Sequence, residues 1–413
     1  QFKFQREYSN GELYAHVTGS YSFYGASGGL EQSENAYLSG SSDKLFYRRV
    51  SDLFTGRRPQ GASLATTPDP AVQRAAVKAM TGIRGAAVAL DPKTGAILAM
   101  VSQPTFDPND LAGHDLSALD ENYKKLNTDP QRPLVNRSIN GDLYPPGSIF
   151  KVITAAAALS SGEYTEDSML PGPAVLELPG TTASLPNMFP GACGANDQVS
   201  FTRAMAISCN TAFASVGMDI GADALRAQAE KFGFGDSLSV PMRVTPSTIP
   251  AELNMPQLAQ SSIGQFDVRV TPLQMAMVAA GVANDGAVMK PYLVQSVIGS
   301  DLSVIETTDP QELSQAVTPD VAAQLTRMME AVVTDGSGTR AQIDGVAVAG
   351  KSGTAQHGEG RKPHAWFISF APADDPQIAV AVIAEDGGTT GSEIGGGRVA
   401  APIARQMMEA RLK

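Results

Sequence analysis

The sequence predicts an α+β fold, with one antiparallel sheet interrupted by a long helical insertion. Three observations predict it. Strand-like stretches cluster at both ends of residues 63–413, residues 148–285 between them are rich in Ala, Met and Leu, and no repeated strand–helix–strand alternation occurs. The 413 residues suffice for two or three domains.

Residues 1–62 read as a separate N-terminal unit. They hold much of the tyrosine and the Gly/Ser-rich run Gly19–Gly29, which predicts short strands and turns, closing in a helix over Asp43–Leu53. Arg57-Arg58-Pro59-Gln60-Gly61 predicts a linker. Residues 63–413 then open with a strand and a helix at Val72–Met80. Gly85–Leu90 and Ala96–Ser102 flank Asp91-Pro92-Lys93-Thr94-Gly95, a hairpin turn. Residues 148–285 predict a mainly helical lobe. Strands return at Val346–Gln356, His364–Phe370 and Ile378–Glu385, and Arg398–Leu412 predicts a closing helix.

Apolar residues make up 43% and charged residues 18%, a globular composition. The net charge of −11 argues against a nucleic-acid partner, whose footprint is basic. No apolar run reaches the ~18 residues of a membrane span. The two cysteines, Cys193 and Cys209, lie 16 positions apart. That spacing leaves a disulfide and two free thiols both open; a bridge would add roughly 3 kcal/mol. The four histidines show no metal-ligand spacing.

Chemistry enters at Ser148-Ile149-Phe150-Lys151, preceded by Tyr144-Pro145-Pro146-Gly147 and followed by an apolar helical run. Residues at i and i+3 share a helical face. A neutral lysine there takes the serine proton and leaves a nucleophile for acyl transfer. The helix N-terminus adds backbone N–H groups and a positive dipole end at Ser148. The pattern alone is weak, since Ser41-Ser42-Asp43-Lys44 also matches, in a polar turn. A second motif is Ser208-Cys209-Asn210, where serine relays a proton and asparagine binds an amide; Ser33–Asn35 and Ser138–Asn140 are decoys. The third is Lys351-Ser352-Gly353-Thr354 at the end of a strand. Gly353 lets a peptide backbone approach that strand and pair by strand addition. Lys93-Thr94-Gly95 imitates it in a hairpin turn. The glycine-rich loops Gly336–Arg340 and Gly387–Gly397 do not fit the phosphate-loop spacing.

In the order Ser148, Ser208, Lys351, these motifs resemble those of the penicillin-binding protein and serine β-lactamase superfamily. Asn136-Arg137, Thr271-Pro272-Leu273-Gln274-Met275-Ala276, His364-Ala365-Trp366-Phe367 and Asp91–Met100 are similar to class B transpeptidases. The resemblance implies a transpeptidase domain, an antiparallel sheet flanked by helices plus an all-helical lobe, over residues 63–413. It implies a small non-catalytic pedestal over residues 1–62.

The implied reaction is peptidoglycan D,D-transpeptidation. Ser148 attacks the carbonyl between two D-alanines, Lys151 is the base, and Ser208 relays the proton. Asn210 orients the stem peptide, and Lys351, Ser352 and Thr354 hold the carboxylate beside Gly353. The N–H groups of Ser148 and Thr354 form the oxyanion hole. Lys151 needs its usual pKa of ~10.4 lowered by about 2–3. Implied partners are stem peptides, as D-Ala-D-Ala donor and amine acceptor, β-lactams, and the division or elongation machinery. No cofactor and no metal is implied. The implied location is extracytoplasmic, with an N-terminal membrane anchor outside this sequence.

Departures are Gly264-Gln265-Phe266, where the family has Gly-Gln-Gly, Thr66-Thr67-Pro68-Asp69 in place of a more apolar strand, and a short N-terminal part. No Glu-x-x-Leu-Asn element follows Asn210. That favours slow deacylation over the hydrolysis of class A β-lactamases. A D,D-carboxypeptidase and a non-catalytic β-lactam sensor or scaffold are the alternatives.

Overall fold

The computed structural model describes residues 4–46, 54, 60–358, 360–388 and 395–413. Its centre is a five-stranded antiparallel sheet built from β1 (Gly85–Leu90), β2 (Ile97–Gln103), β3 (Ala349–Ala355), β4 (His364–Ala371) and β5 (Ile378–Ala384). The spatial order is β3-β4-β5-β1-β2, so β3 is an edge strand. Asp91 closes the β1–β2 hairpin by accepting the N–H groups of Lys93 and Thr94 at 2.9 and 3.0 Å.

Nearly every residue of these strands is buried, because the sheet is covered on both faces. Ala86, Val88, Leu90, Trp366 and Ile368 point into the larger core beneath the helical lobe. Their neighbours Ala87, Ala89, Phe367 and Val382 point into a second core. Two-sided burial makes each strand an apolar run rather than an alternation.

The helical lobe and its flanks comprise α1 (Lys151–Ser161), α2 (Phe201–Ile207), α3 (Asn210–Ile220), α4 (Pro272–Ala283), α5 (Pro319–Asp335) and α6 (Gly396–Leu412). Helix α4 starts with Pro272 and is N-capped by the Thr271 hydroxyl, which accepts from the Gln274 N–H at 3.1 Å. Helix α6 lies against β4 and β5 on the other face and supplies Ala400, Ala404 and Met407 to the second core.

Two expectations need correction. Residues 162–200 hold no α-helix, only a 3-10 turn at Ala195–Asp197: Met169–Pro171 pairs with Gln198–Ser200, and Val175–Glu177 with Ser184–Pro186. The N-terminal segment also contains a helix, Gly11–Thr18, which buries Ala15, His16 and Val17. Its His16 Nε2 lies 2.8 Å from the Pro133 carbonyl oxygen. The helix expected over Asp43–Leu53 begins as a short turn at Asp43–Leu45, and residues 47–53 lie outside the described residues, as do residues 57–59 of the expected linker. Strand Ser63–Thr66 pairs with Val294–Ile298 in a separate three-stranded sheet. No helix among the described residues is long and apolar enough to cross a membrane.

Candidate active site

Ser148 sits in a tight turn, Gly147–Phe150, that leads directly into α1. Gly147 makes the turn possible. Its φ is +57°, and a Cβ there would lie 2.7 Å from the Thr354 carbonyl oxygen. The turn therefore lies against the end of β3. Gly147 N–H donates to the Gly264 carbonyl at 2.8 Å, and Trp366 Nε1 donates to the Pro145 carbonyl at 3.1 Å.

Ser208 occupies the junction between α2 and α3 in the left-handed region, with φ 61° and ψ 42°. That conformation costs a non-glycine residue roughly 1 kcal/mol. It turns the chain so that Cys209 caps α3, its Sγ accepting from the Ala212 N–H, and Asn210 begins the helix. Cys193 and Cys209 are disulfide-bonded, with Cα atoms 6.0 Å apart. The bridge ties this junction to the preceding loop.

The three segments converge on Ser208. Lys151 Nζ donates to the Ser208 carbonyl at 2.8 Å and to Asn210 Oδ1 at 2.8 Å, and lies 3.3 Å from Ser208 Oγ. Lys351 Nζ donates to Ser208 Oγ at 2.8 Å and to the Ser352 carbonyl at 2.8 Å. The Ser148 hydroxyl is not among the partners of Lys151. The expected serine–lysine contact is replaced because Ser208 and Asn210 engage the amine.

Both lysines are fully buried. Burial pushes Lys351 down to about 7. Burial, and then the charge of Lys351, holds Lys151 well below the usual lysine range. A neutral Lys151 has two N–H groups and one lone pair. That fits two donated bonds and one accepted from the Ser208 hydroxyl.

Gly353 is closely packed on one face of β3. A Cβ there would meet Ile149 Cγ2 at 3.0 Å, the Pro146 carbonyl at 3.1 Å and Trp366 Cβ at 3.1 Å. The backbone it admits is first that of the protein's own Ser148 turn. Ser352 is buried, Thr354 half-buried.

Several residues that brace the site escaped sequence reasoning. Asn187 Oδ1 accepts from the N–H groups of Asn210 and Thr211 at 3.0 and 3.2 Å, and Asn210 Nδ2 donates to the Pro186 carbonyl at 3.1 Å. Ser337 Oγ lies 2.6 Å from Ser352 Oγ, and its N–H donates to the Ala206 carbonyl at 3.0 Å. The Gly336–Arg340 loop thus joins the second and third motifs. Glu385 accepts from the Tyr144 hydroxyl at 2.7 Å and from Arg137 Nε at 2.9 Å, anchoring the chain before Ser148. Only an unmet partner for a buried amide or hydroxyl signals such residues.

The decoys lie elsewhere. Lys44 pairs with Glu306 at 2.6 Å, Lys93 with Asp375 at 2.7 Å, and Ser138 Oγ donates to the Val101 carbonyl at 2.9 Å.

His357, His364 and Asp386 bring three ligand-type atoms within 4.8 Å of one another. Their hydrogen bonds do not suit a metal. The Asp386 N–H donates to His364 Nδ1 at 3.1 Å, which fixes the ring proton on Nε2, the nitrogen a metal would need. The two rings stack face to face, 3.5 Å between centroids, and Asp386 is held by Arg84 and Arg361.

Comparison with known proteins fits this geometry. The penicillin binding protein transpeptidase domain matches residues 85–409, and the penicillin binding protein A dimerisation domain matches residues 1–64. The peptidoglycan D,D-transpeptidase PbpA of Mycolicibacterium smegmatis is 48% identical over 424 residues, covering 100% of this chain and 85% of the relative. That of Mycobacterium tuberculosis is 45% identical over 425 residues, with the same coverage. Among solved structures, the ceftriaxone acyl-enzyme of penicillin-binding protein A from M. tuberculosis superposes with a TM-score of 0.95 at 45% identity, covering 99% of this chain and 93% of that one. Its penicillin G acyl-enzyme gives 0.94 at 45% identity, covering 100% and 95%.

Proposed function

We propose, from the premise that this chain belongs to the penicillin-binding protein transpeptidase family, that Ser148 carries the acyl group of a peptidoglycan D,D-transpeptidase. The convergence of Lys151 and Lys351 on Ser208 carries this reading. Ser148 Oγ bonds to the carbonyl carbon of the penultimate D-Ala while its proton passes to Lys151. A rotamer change brings the amine one helical turn onto that hydroxyl. The tetrahedral intermediate collapses, the C–N bond breaks, and Ser208 delivers the proton from Lys151 to the departing D-Ala nitrogen. An acceptor amine then attacks the ester and releases Ser148.

Asn210 orients the donor amide. Lys351, Ser352 and Thr354 hold the terminal carboxylate. The N–H groups of Ser148 and Thr354 stabilise the oxyanion, worth about 3–4 kcal/mol per donor; the close approach of Gly147 to Thr354 supports that pairing. β-Lactams acylate Ser148 as mimics of the D-Ala-D-Ala end.

Residues 1–62 form the pedestal and residues 63–413 the catalytic domain in this reading. The substrate places the domain outside the cytoplasm, and the disulfide suits an oxidising compartment. An N-terminal membrane anchor and a place in the division or elongation machinery complete the proposal.

Intact-mass analysis after penicillin exposure tests it. The expected result is one adduct on the wild type and none on Ser148→Ala. No adduct on the wild type, or an equal one on the variant, overturns the assignment.

A further inference from the structure

The carboxylate-holding residues fix the direction of a bound donor. Its C-terminal carboxylate lies toward Lys351 and Ser352, and its reacting carbonyl lies near Thr354. The chain upstream of the scissile bond therefore runs antiparallel to the edge strand β3, past Ala355 and onward over Gln356 and His357. At about 3.3 Å per residue, two to three residues carry it there.

A cavity of about 680 Å³ opens at that point, lined by Gln356, His357, Pro145 and Phe266 among others. Its walls are continuations of the catalytic segments: Pro145 precedes the Ser148 turn, Gln356 follows β3, and Phe266 follows Gly264, whose carbonyl holds Gly147. Phe266 is 41% exposed at a φ of +61°, a conformation that a bulky side chain rarely adopts. This is the position where the sequence departs from the family's Gly-Gln-Gly.

The cavity keeps a small positive excess in a chain whose net charge is −11. Five arginines line it, Arg84, Arg132, Arg137, Arg269 and Arg361, and four carboxylates pair with them, Asp142, Asp267, Glu385 and Asp386. Arg84 and Arg137 are committed to Glu385. Arg132 and Arg361 stand at the rim with side chains 48% and 54% exposed. Among the described residues, Arg132 reaches Asp142 through Nη1 and Arg361 reaches Asp386 through Nη2. Each keeps further N–H groups directed by the planar guanidinium, which suits a carboxylate.

We propose that this cavity is a donor-peptide subsite in which Arg132 and Arg361 bind a carboxylate borne by the stem residue two or three positions upstream of the acylating D-Ala. The subsite rests on the transpeptidase reading above and adds a substrate preference to it: acidic donors over neutral ones.

Matched donor peptides ending in D-Ala-D-Ala test it, with glutamate or glutamine at either upstream position, read as D-Ala release. Penicillin acylation of the same preparations is measured in parallel. The glutamate donor is expected to have about a tenfold higher kcat/KM than its glutamine counterpart at one of the two positions. The Arg132→Ala/Arg361→Ala double variant is expected to lose that preference, with penicillin acylation unchanged. Equal kcat/KM for acidic and neutral donors on the wild type, with Ser148 still acylated by penicillin, overturns the subsite alone. So does a double variant that keeps the preference. Failure of penicillin to acylate Ser148 overturns the nucleophile assignment and the subsite with it.

Discussion

Lys151 and Lys351 reach the same hydroxyl from opposite lobes: Ser208 Oγ lies 3.3 Å from one amine and 2.8 Å from the other. One hydroxyl between two buried amines suits one neutral and one charged lysine. Lys151 is the neutral one, since burial and the charge of Lys351 both lower it, whereas burial alone lowers Lys351.

The pH profile of kcat/KM for β-lactam acylation should therefore be bell-shaped. Its acid limb reports Lys151. Its alkaline limb, near pH 7, reports loss of the Lys351 charge proposed to hold the carboxylate. Lys351→Met should lower the rate roughly tenfold to a hundredfold, abolish the alkaline limb and move the acid limb upward. Second-order acylation rates across pH check this; an unchanged profile shape in the variant would count against the shared-hydroxyl assignment.

Gly353→Ala tests how tightly the Ser148 turn is seated. The new methyl meets Ile149, Pro146 and Trp366 at 3.0–3.1 Å. Displacing them should cost about 1–3 kcal/mol and slow acylation by at least about tenfold, since reactivity depends on sub-ångström placement. A melting curve and an acylation rate measured together decide. A variant that acylates at the wild-type rate would show that the turn has slack.

Opening the Cys193–Cys209 bridge should loosen the residue on each side of Cys209, which are Ser208 and Asn210. Cys193→Ser/Cys209→Ser is expected to lose about 3 kcal/mol of stability and to acylate more slowly. Reductant should do the same to the wild type. Unchanged acylation in protein whose thiols are shown to be free would remove the link between redox state and catalysis.

His16 makes the junction between the N-terminal helix and the rest of the molecule sensitive to acid. Burial pushes it down to about 4. An unfolded histidine takes up its proton near 6.5. Between those values the unfolded chain binds more protons, so stability falls as pH drops through the window. His16 contributes on the order of 3 kcal/mol to that loss, and His364, lowered to about 3 mainly by burial, adds to it. His16→Gln should roughly halve the slope of melting temperature against pH between 6.5 and 4. An unaltered slope would mean that the junction opens before His16 is protonated.

The sheet was legible because two-sided burial writes each strand as an apolar run, as in Gly85–Leu90 and Ile378–Ala384. The site was legible as three motifs in order, two of them at junctions between elements and the third inside β3. Residues 162–200 were not legible: their short strands hold through the disulfide and Asn187 rather than through pattern. Helix Gly11–Thr18 was missed because it begins with glycine and has no side-chain cap, and its helical state comes from burying Val17 and His16. Ser337 and Glu385 act across 15 and 241 positions, a relation no local reading contains.

The shared hydroxyl also couples the two lobes in unfolding. Ser208 stands 57 positions from Lys151 and 143 from Lys351. If the sheet opened first, Lys351 would quit its acceptor on Ser208. If the helices opened first, the same hydroxyl would desert both amines. Either route strands buried hydrogen-bonding groups before the rest of the domain has let go. The lobes should therefore melt in one cooperative step, and a covalent label on Ser148 then counts natively folded molecules as well as active ones.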